Sequence, residues 1–244
     1  MKLYGLIGYP LGHSFSKKYF TDKFRQENIS NACFELFPID RIESFPSLLQ
    51  EHKNLLGLAV TIPYKESVIN YLDTLSENAN AVGAVNCISI HKGELKGHNT
   101  DVIGFENSIR PLLQKHHRQA LILGTGGSSK AVQFVLKKMN IKYKVVSRYQ
   151  NKNYITYNEI SANMYKDCTI IINCTPIGMN PYEDQCPAID YDNISEDHLL
   201  YDLIYNPSPT LFLKKGKERG AIIKSGLEML QLQAEENWRI WNAS

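Results

Sequence analysis

A glycine-rich turn near the middle of the chain most constrains how this polypeptide can fold. Three apolar residues, Leu121–Leu123, lead into the turn GTGGS at 124–128, and a helical pattern follows. A strand, a tight turn and a helix N-terminus in this order can cradle the pyrophosphate of a dinucleotide, because free backbone N–H groups and the positive end of the helix dipole face the phosphates. Ser129 stands where the simplest fingerprint has its third glycine, with Ala131 two places on. The alternative is an ordinary turn between strand and helix.

Composition and charge exclude several classes of protein. The 244 residues carry 27 basic and 25 acidic side chains, and a net charge of +2 indicates no nucleic-acid partner. No apolar run approaches the roughly 20 residues of a membrane span, and glycine and proline interrupt the short apolar N-terminus, so we expect neither membrane association nor a signal peptide. Five scattered cysteines without a CxxC pair predict free thiols in a cytoplasmic protein.

Apolar runs alternate with helical patterns in the first hundred residues, which predicts α/β units. The segment 84–99 then predicts a hairpin with a two-residue turn at Lys92-Gly93. In that hairpin Asn86 lies opposite Asn99, and Asp101 lies just beyond. The other elements that we expect are strands at Leu3–Gly8, Cys33–Pro38 and 55–61, and helices near 17–26, near 42–51 and from Tyr64.

The second half of the chain predicts a parallel, doubly wound sheet, because further apolar runs follow the glycine-rich turn with helical or loop segments between them. The C-terminal segment predicts an amphipathic helix that packs on the first domain, with Leu227, Leu230, Ala234, Trp238 and Trp241 at helical spacing. We therefore expect an α/β protein of two domains with its active site in the cleft between them. Residues 1–101 with 221–244 would form a substrate domain, and residues 102–220 a Rossmann-like cofactor domain.

Arg148 favours NADP over NAD as the dinucleotide. It follows Ser147 at the end of an apolar run, where an NAD site usually carries Asp or Glu for the ribose 2′-hydroxyl. A carboxylate there would repel a 2′-phosphate, whereas arginine binds one through charge-assisted hydrogen bonds. The alternative is that Arg148 is a solvated surface charge.

Polar residues near the ends of the apolar runs are candidates for ligand binding. Ser14 and Ser16 would present two hydroxyls on one side of an extended segment, although Ser16 would equally well cap the following helix. Lys65 stands at a predicted helix start, where the dipole disfavours a cation, and such local conflicts tend to mark function; an exposed lysine is the alternative. The polar breaks at 173–176 and 202–207 end buried strands, where parallel sheets bind ligands.

Eight short motifs follow one another along almost the whole chain. They are GYP at 8–10 with Ser14 and Ser16, VTIPYK at 60–65, GAVN at 83–86, GHNTD at 97–101, GTGG at 124–127, NCTPIGM at 173–179, DLIYNP at 202–207 and GLEMLQLQ at 226–233. Together they resemble the motifs of the shikimate dehydrogenase family. That resemblance implies a reversible reduction of 3-dehydroshikimate to shikimate by NADPH, within aromatic amino-acid biosynthesis and without a metal ion.

The resemblance also implies roles for individual residues. Lys65 and Asp101 would form the acid/base pair at the C3 oxygen of the substrate. The residues implied to hold the substrate are Ser14, Ser16, Thr61, Asn86, Asp101, Tyr205 and Gln233. The residues implied to contact NADP are Glu77, Gly124, Thr125, Gly126, Gly127, Ser128, Ser147, Arg148, Thr175, Leu203, Gly226 and Met229.

The chain departs from the family where the 2′-phosphate would bind. Ser147-Arg148-Tyr149 stands where the family commonly has Asn-Arg-Thr, and Lys152 stands for a second arginine. The strictness of NADP over NAD therefore stays open, as does the choice between a monomer and a homodimer. One alternative is an NAD-using quinate/shikimate dehydrogenase, against which the absence of Asp or Glu at 147 and 148 argues. The other is a non-catalytic NADP-binding sensor on the same fold, which would not need the acid/base pair.

Overall fold

The computed structural model describes residues 1–12 and 14–243, and the chain forms two compact units. The first unit consists of Met1–Thr100 and Ala234–Ser244, and the second of Asp101–Gln233. Within the described residues, no helix combines the length and the apolarity of a membrane span. The five cysteines are free thiols.

A mixed sheet forms the core of the first unit, with the strand order β2-β1-β3-β5-β6-β4 among the described residues. Strand β1 pairs in parallel with β2 and β3, and β5 pairs antiparallel with both of its neighbours, β3 and β6. The strands are β1 (Lys2–Gly8), β2 (Ala32–Pro38), β3 (Leu55–Val60), β4 (Thr74–Leu75), β5 (Cys87–His91) and β6 (Glu94–His98), and the helices are α1 (Phe15–Gln26), α2 (Phe45–Glu51) and α3 (Glu77–Val82).

The helix expected from Tyr64 is wrong. A short 3-10 helix, Ser67–Tyr71, takes its place. The chain then leaves the helical path because the Asp73 amide donates to the Leu95 carbonyl (3.0 Å), which starts the pairing of β4 with β6. The apolar residues that suggested a helix are nevertheless packed against the sheet, with Val68 fully buried.

The second unit has an all-parallel sheet of six strands among its described residues, in the order β12-β11-β10-β7-β8-β9. Numbered from β7, this is the order 6-5-4-1-2-3 of dinucleotide-binding folds, whose ligands bind where the strand order reverses. The strands are β7 (Gln119–Leu123), β8 (Lys142–Ser147), β9 (Ile155–Thr156), β10 (Ile170–Asn173), β11 (Leu199–Asp202) and β12 (Ile222–Ser225), and the helices are α4 (Asp101–Ile109), α5 (Gly127–Lys138), α6 (Ala162–Asp167) and α7 (Leu211–Glu218).

The last helix, α8 (Leu227–Asn242), begins in the second unit and ends in the first. In the first unit Ala234, Trp238 and Trp241 join an aromatic cluster around Tyr4, as the apolar stripe predicted. The Trp241 indole packs directly on Gly57, where any side chain would overlap it, and donates a hydrogen bond to the Ile88 carbonyl (3.0 Å). Leu227, which the stripe also included, is instead 39% exposed.

The structure places two boundaries differently from the sequence prediction. Asp101 was expected to end the first domain, but it begins the second unit. Residues 221–233 were expected in the first domain, but they belong to the second unit. The reason is that β12 is the outermost strand of the parallel sheet. It pairs with β11, with Ile222 opposite Leu199 and Ser225 opposite Asp202.

Candidate functional site

The predicted substrate residues of the first unit lie toward one edge of its sheet. Strands β1 and β3 are parallel, so the loops after Gly8 and Val60 leave from the same edge. The Tyr9 amide donates to the Ile62 carbonyl (3.0 Å), and a side chain at Gly8 would overlap Thr61. The start of β5 and the end of β6 lie at this edge as well, because β5 runs opposite to β3.

The predicted hairpin has the register that the sequence indicated. Lys92 and Gly93 form its two-residue turn with positive φ angles of 51° and 87°, and His91 pairs with Glu94. Continuing that register places Asn86 opposite Asn99, and the Asn86 amide donates to the His98 carbonyl (3.1 Å).

Hydrogen bonds fix both hairpin asparagines, which are buried. The Asn86 side-chain oxygen accepts from the Thr100 amide (2.7 Å), and the Asn99 side chain donates to the Ala84 carbonyl (2.8 Å). The Thr100 hydroxyl lies 2.7 Å from the side-chain oxygen of Asn237 on α8. The amide groups at this edge are therefore held in defined orientations.

The two serines occupy positions that differ from the expectation. Ser14, not Ser16, is the N-cap of α1, and its hydroxyl accepts from the Lys17 amide at a long 3.4 Å. Ser16 lies inside the first helical turn, so the pair does not share one extended segment. Both are half-buried.

Lys65 is half-buried in a turn, two residues ahead of the 3-10 helix, rather than in the first turn of an α-helix. Two hydrogen bonds, one to Lys65 itself and one from its neighbour Tyr64, fix the turn. The Lys65 carbonyl accepts from the Val85 amide (2.7 Å), and the hydroxyl of buried Tyr64 donates to the Ile39 carbonyl (2.5 Å).

The glycine-rich turn of the second unit fits the phosphates of a dinucleotide. Gly124 has φ +106°, which favours glycine, and Gly126 occupies the N-cap position of α5, where an added methyl group would find open space for 4 Å. Because Gly126 has no side chain to accept from the first-turn amides, these can serve an anion. Ser129 replaces the third glycine without loss of packing, since its buried hydroxyl donates to the Gly124 carbonyl (2.7 Å).

Arg148 and its neighbours follow the carboxyl end of β8, beside this turn in the sheet order. Ser147 accepts a hydrogen bond from the Tyr149 amide (3.2 Å), and the Arg148 guanidinium carbon lies 5.7 Å from the centre of the Tyr149 ring. Both Arg148 and Tyr149 are exposed. An exposed cation at this place is available to a phosphate.

The carboxyl ends of β10 and β11 carry a hydrogen-bonded group of polar side chains. Asn173 accepts from the Thr175 hydroxyl (2.6 Å) and amide (3.0 Å), and it donates to Asp202 (3.0 Å). The sequence pattern marked these residues as polar ends of apolar runs, and the family resemblance implied an NADP contact for Thr175. It gave no signal for the further partner Thr210, whose hydroxyl donates to Asp202 (2.6 Å) across eight residues of chain.

Close glycine contacts position the predicted residues at the start of α8. The Gly226 Cα packs on the Leu203 carbonyl so closely that a Cβ would overlap it. Gly104 of α4 makes a similar approach, since a Cβ there would lie 2.5 Å from the Met229 carbonyl oxygen and 3.3 Å from the Gln233 Cβ. Helix α4, which Asp101 begins, therefore packs tightly against the helix that carries Gln233.

The remaining predicted residues have mixed surroundings. Asp101, Met229 and Gln233 are buried, and Tyr205 is half-buried in the loop after β11. Glu77 is exposed in the first turn of α3, in the first unit, whereas the other predicted cofactor residues belong to the second. Within residues 1–12 and 14–243, no group of three or more His, Cys, Asp or Glu side chains could hold a metal ion.

Comparison with known proteins identifies the family of the chain. Residues 6–88 match the family described as shikimate dehydrogenase substrate binding domain. A shikimate dehydrogenase (NADP(+)) of Carboxydothermus hydrogenoformans is 36% identical over 97% of this chain and 91% of its own length.

Two solved structures cover the whole fold. The chorismate mutase/shikimate 5-dehydrogenase fusion protein of Clostridium acetobutylicum is 35% identical, with a TM-score of 0.86 over 99% of this chain and 91% of the other. The shikimate 5-dehydrogenase of Thermus thermophilus, solved with NADP(H) and shikimate, is 26% identical, with a TM-score of 0.88 over 100% of this chain and 94% of the other. The chain belongs to the shikimate dehydrogenase family.

Proposed function

We propose that this protein is an NADP-dependent oxidoreductase that reversibly reduces 3-dehydroshikimate to shikimate. The observation that carries the proposal is the match over 97% of the chain to a relative named shikimate dehydrogenase (NADP(+)). The parallel sheet and the glycine-rich turn, in which Gly126 gives α5 no capping side chain, support binding of a dinucleotide. The polar edge of the first sheet supports binding of a hydroxylated, carboxylated substrate.

Substrate binding is assigned to side chains whose chemistry suits shikimate. Hydroxyls at Ser14, Ser16 and Thr61 can each donate and accept hydrogen bonds, which fits a carboxylate and ring hydroxyls. The fixed amide of Asn86 offers a donor and an acceptor at the same sheet edge. The second unit would contribute Asp101, Tyr205 and Gln233.

Cofactor binding is assigned to the carboxyl edge of the parallel sheet. The amides at the start of α5 would hold the pyrophosphate, with contacts from the turn residues Gly124, Thr125, Gly126, Gly127 and Ser128. Arg148 and Ser147 would hold the 2′-phosphate. Thr175, Leu203, Gly226, Met229 and Glu77 complete the proposed set.

The catalytic step needs a proton as well as a hydride, and bound NADPH supplies the hydride. Reduction turns the substrate carbonyl into an alkoxide-like oxygen that must be protonated. The Lys65 ammonium would stabilise that charge and donate the proton. Asp101 would orient the lysine and take part in proton exchange, with the roles reversed in the oxidation of shikimate.

The proposal is tested by following NADPH formation at 340 nm with the purified protein and shikimate. We expect shikimate-dependent turnover that is faster with NADP than with NAD, and slower with quinate than with shikimate. Faster turnover with NAD and quinate would favour an NAD-using quinate/shikimate dehydrogenase. Ser147, Tyr149 and Lys152 differ from the residues that the family commonly has where the 2′-phosphate would bind, which is compatible with that alternative. Absence of turnover with tight NADP binding would favour a sensor.

A further inference from the structure

We propose that Asp202 is a positioning residue whose ionised carboxylate holds the two loops at the carboxyl ends of β10 and β11 in the shape that binds NADP. The inference rests on the proposed function and adds a pH-sensitive residue to it. Asp202 is the last residue of β11, and its side chain is fully buried.

Three hydrogen-bond donors surround this carboxylate. One oxygen accepts from the Asn173 side-chain amide (3.0 Å) and from the Ile204 backbone amide (3.0 Å), and the other accepts from the Thr210 hydroxyl (2.6 Å). A buried ionised carboxylate is stable only with such donors. The three contacts join the end of β10, the loop after β11 and the N-cap of α7.

On one side the contacts lead to the glycine-rich turn. Asn173, held by Asp202, uses its other side-chain atom to accept from the hydroxyl and amide of Thr175. The Thr175 methyl packs on Gly124, since a Cβ on that glycine would lie 3.1 Å from it. A shift of Asn173 would therefore move Thr175 against the turn that we assign to the pyrophosphate.

On the other side the contacts lead to the loop assigned to the cofactor and the substrate. The bond from the Ile204 amide to Asp202 spans Leu203, whose own amide donates to the Asn173 carbonyl (3.0 Å). Ile204 in turn accepts from the Gly226 amide (3.1 Å). The Asp202 carboxylate is therefore hydrogen-bonded to both loops that follow the ends of β10 and β11.

Protonation would break this arrangement. The Asn173 and Ile204 amide groups can only donate to this carboxyl group, so a proton on their acceptor oxygen would oppose them. A proton on the other oxygen would require the Thr210 hydroxyl, which also accepts from the Leu213 amide (3.4 Å), to reverse its bond. Burial raises the pKa of Asp202 to about 6, and the three donors lower it only in part. The titratable groups that sense its charge are the Cys174 thiol and the Tyr191 hydroxyl, and β12 contributes uncharged Ser225. Burial raises the pKa of the thiol and of the phenol, so both stay protonated near neutral pH.

The test compares NADPH binding by the wild type and an Asp202→Asn variant, using fluorescence titration between pH 5 and 8. Asparagine places an NH2 group where a carboxylate oxygen accepted, so the variant resembles the protonated wild type at every pH. We expect its Kd to be raised about tenfold at pH 7.5 and to differ only about twofold from the wild type at pH 5, where a minor fraction of the wild type is still ionised. The ratio of the two Kd values cancels the titration of the NADPH 2′-phosphate, which the two proteins share.

Controls separate this role from general damage. Asp190→Asn, an exposed carboxylate of the same unit, should leave the Kd unchanged at every pH. If Asp202→Asn does not fold, Thr210→Val should weaken NADPH binding at pH 7.5 and Thr210→Ser, which keeps the hydroxyl donor, should restore it.

Two results would overturn the inference alone: an Asp202→Asn protein that binds NADPH as tightly as the wild type, or a Kd ratio that does not change with pH. In the Thr210 pair, equal affinities of the Val and Ser variants would overturn it. A wild type that binds no NADPH would instead contradict the proposed function, and the inference with it.

Discussion

Tyr4 illustrates how a single buried hydroxyl can lower stability. Its side chain is fully buried among the aromatic rings of the first unit, and its hydroxyl has no hydrogen-bond partner among the described residues. A buried polar group without a partner costs roughly 1–3 kcal/mol. Tyr4→Phe should therefore raise the free energy of unfolding, by about 1 kcal/mol, in urea denaturation.

Tyr64→Phe is the matched control, because the Tyr64 hydroxyl donates to the Ile39 carbonyl in the same unit. Its loss should lower the free energy of unfolding by about 1 kcal/mol. An equal loss of stability in the Tyr4 and Tyr64 variants would show that the Tyr4 hydroxyl is paired after all.

Lys65 carries the proposed proton transfer, so Lys65→Ala should lower kcat by about 10²- to 10⁴-fold. The affinity for shikimate should change little, because other side chains are assigned to hold the ring and its carboxylate. Stopped-flow or steady-state assays with a separate binding titration would distinguish the two effects. Lys53→Ala, an exposed lysine of the same unit, should keep full turnover; an active Lys65→Ala enzyme would rule out the assignment.

At the scale of elements, we propose that the N-terminus of α5 binds the pyrophosphate of NADPH. Gly126→Ala adds a methyl group where the protein leaves open space, so the free energy of unfolding should change by less than about 1 kcal/mol. The Kd for NADPH, measured by fluorescence, should nevertheless rise at least about tenfold, because the methyl group would occupy space that the pyrophosphate needs.

Gly104→Ala provides the contrast. Its methyl group would meet the Met229 carbonyl, so this variant should lose about 1–3 kcal/mol of stability, as overpacked sites do. A Gly126→Ala protein with normal NADPH affinity would mean that the cofactor does not approach the N-terminus of α5.

Elements defined by local chemistry could be predicted from the sequence, and those defined by distant pairing could not. Lys92-Gly93 determines a hairpin within two residues, so its register was predictable. The segment after Tyr64 has helical spacing, but its course is decided by the pairing of Thr74–Leu75 with β6, some twenty residues away. The apolar run at 221–224 predicted a further strand of the parallel sheet, but the local sequence does not specify that this strand pairs with Leu199–Asp202.

The same distinction holds for the candidate site. Its motifs were visible because they follow strand ends, as at Asn173 and Asp202. The bonds that join them were not visible, because Asp202 meets Asn173 across 29 residues and Thr210 across eight. Contacts of this kind depend on strand order, which the sequence pattern does not specify.

At the scale of the whole molecule, half-buried His98 and buried His117 and His198 should make stability depend on pH. Burial lowers the pKa of His98 to about 4, with Lys96 adding to the effect, and it also lowers the pKa values of His117 and His198. In the unfolded chain the histidine pKa values are about 6.5, so the unfolded chain takes up protons at a higher pH than the folded protein does. These groups contribute full stability above about pH 6.5 and lose it toward about pH 4.

Thermal unfolding between pH 7.5 and 4.5 checks this prediction. The Tm should fall as the pH falls, although protonation of Asp202, whose pKa is raised, acts in the opposite direction below about pH 6. His98→Asn should reduce the dependence, and His91→Asn, an exposed histidine, should leave it unchanged. A Tm that stays constant or rises on acidification would contradict the sign.

We propose that this chain binds NADP at the carboxyl ends of its parallel strands and shikimate at the polar edge of its mixed sheet. A crystal structure with NADP⁺ and shikimate tests both parts at once. We expect the pyrophosphate on the amides that begin α5, the 2′-phosphate at Arg148, the substrate carboxylate at Ser14 and Ser16, and the C3 oxygen at Lys65. Either ligand bound away from these residues would contradict it.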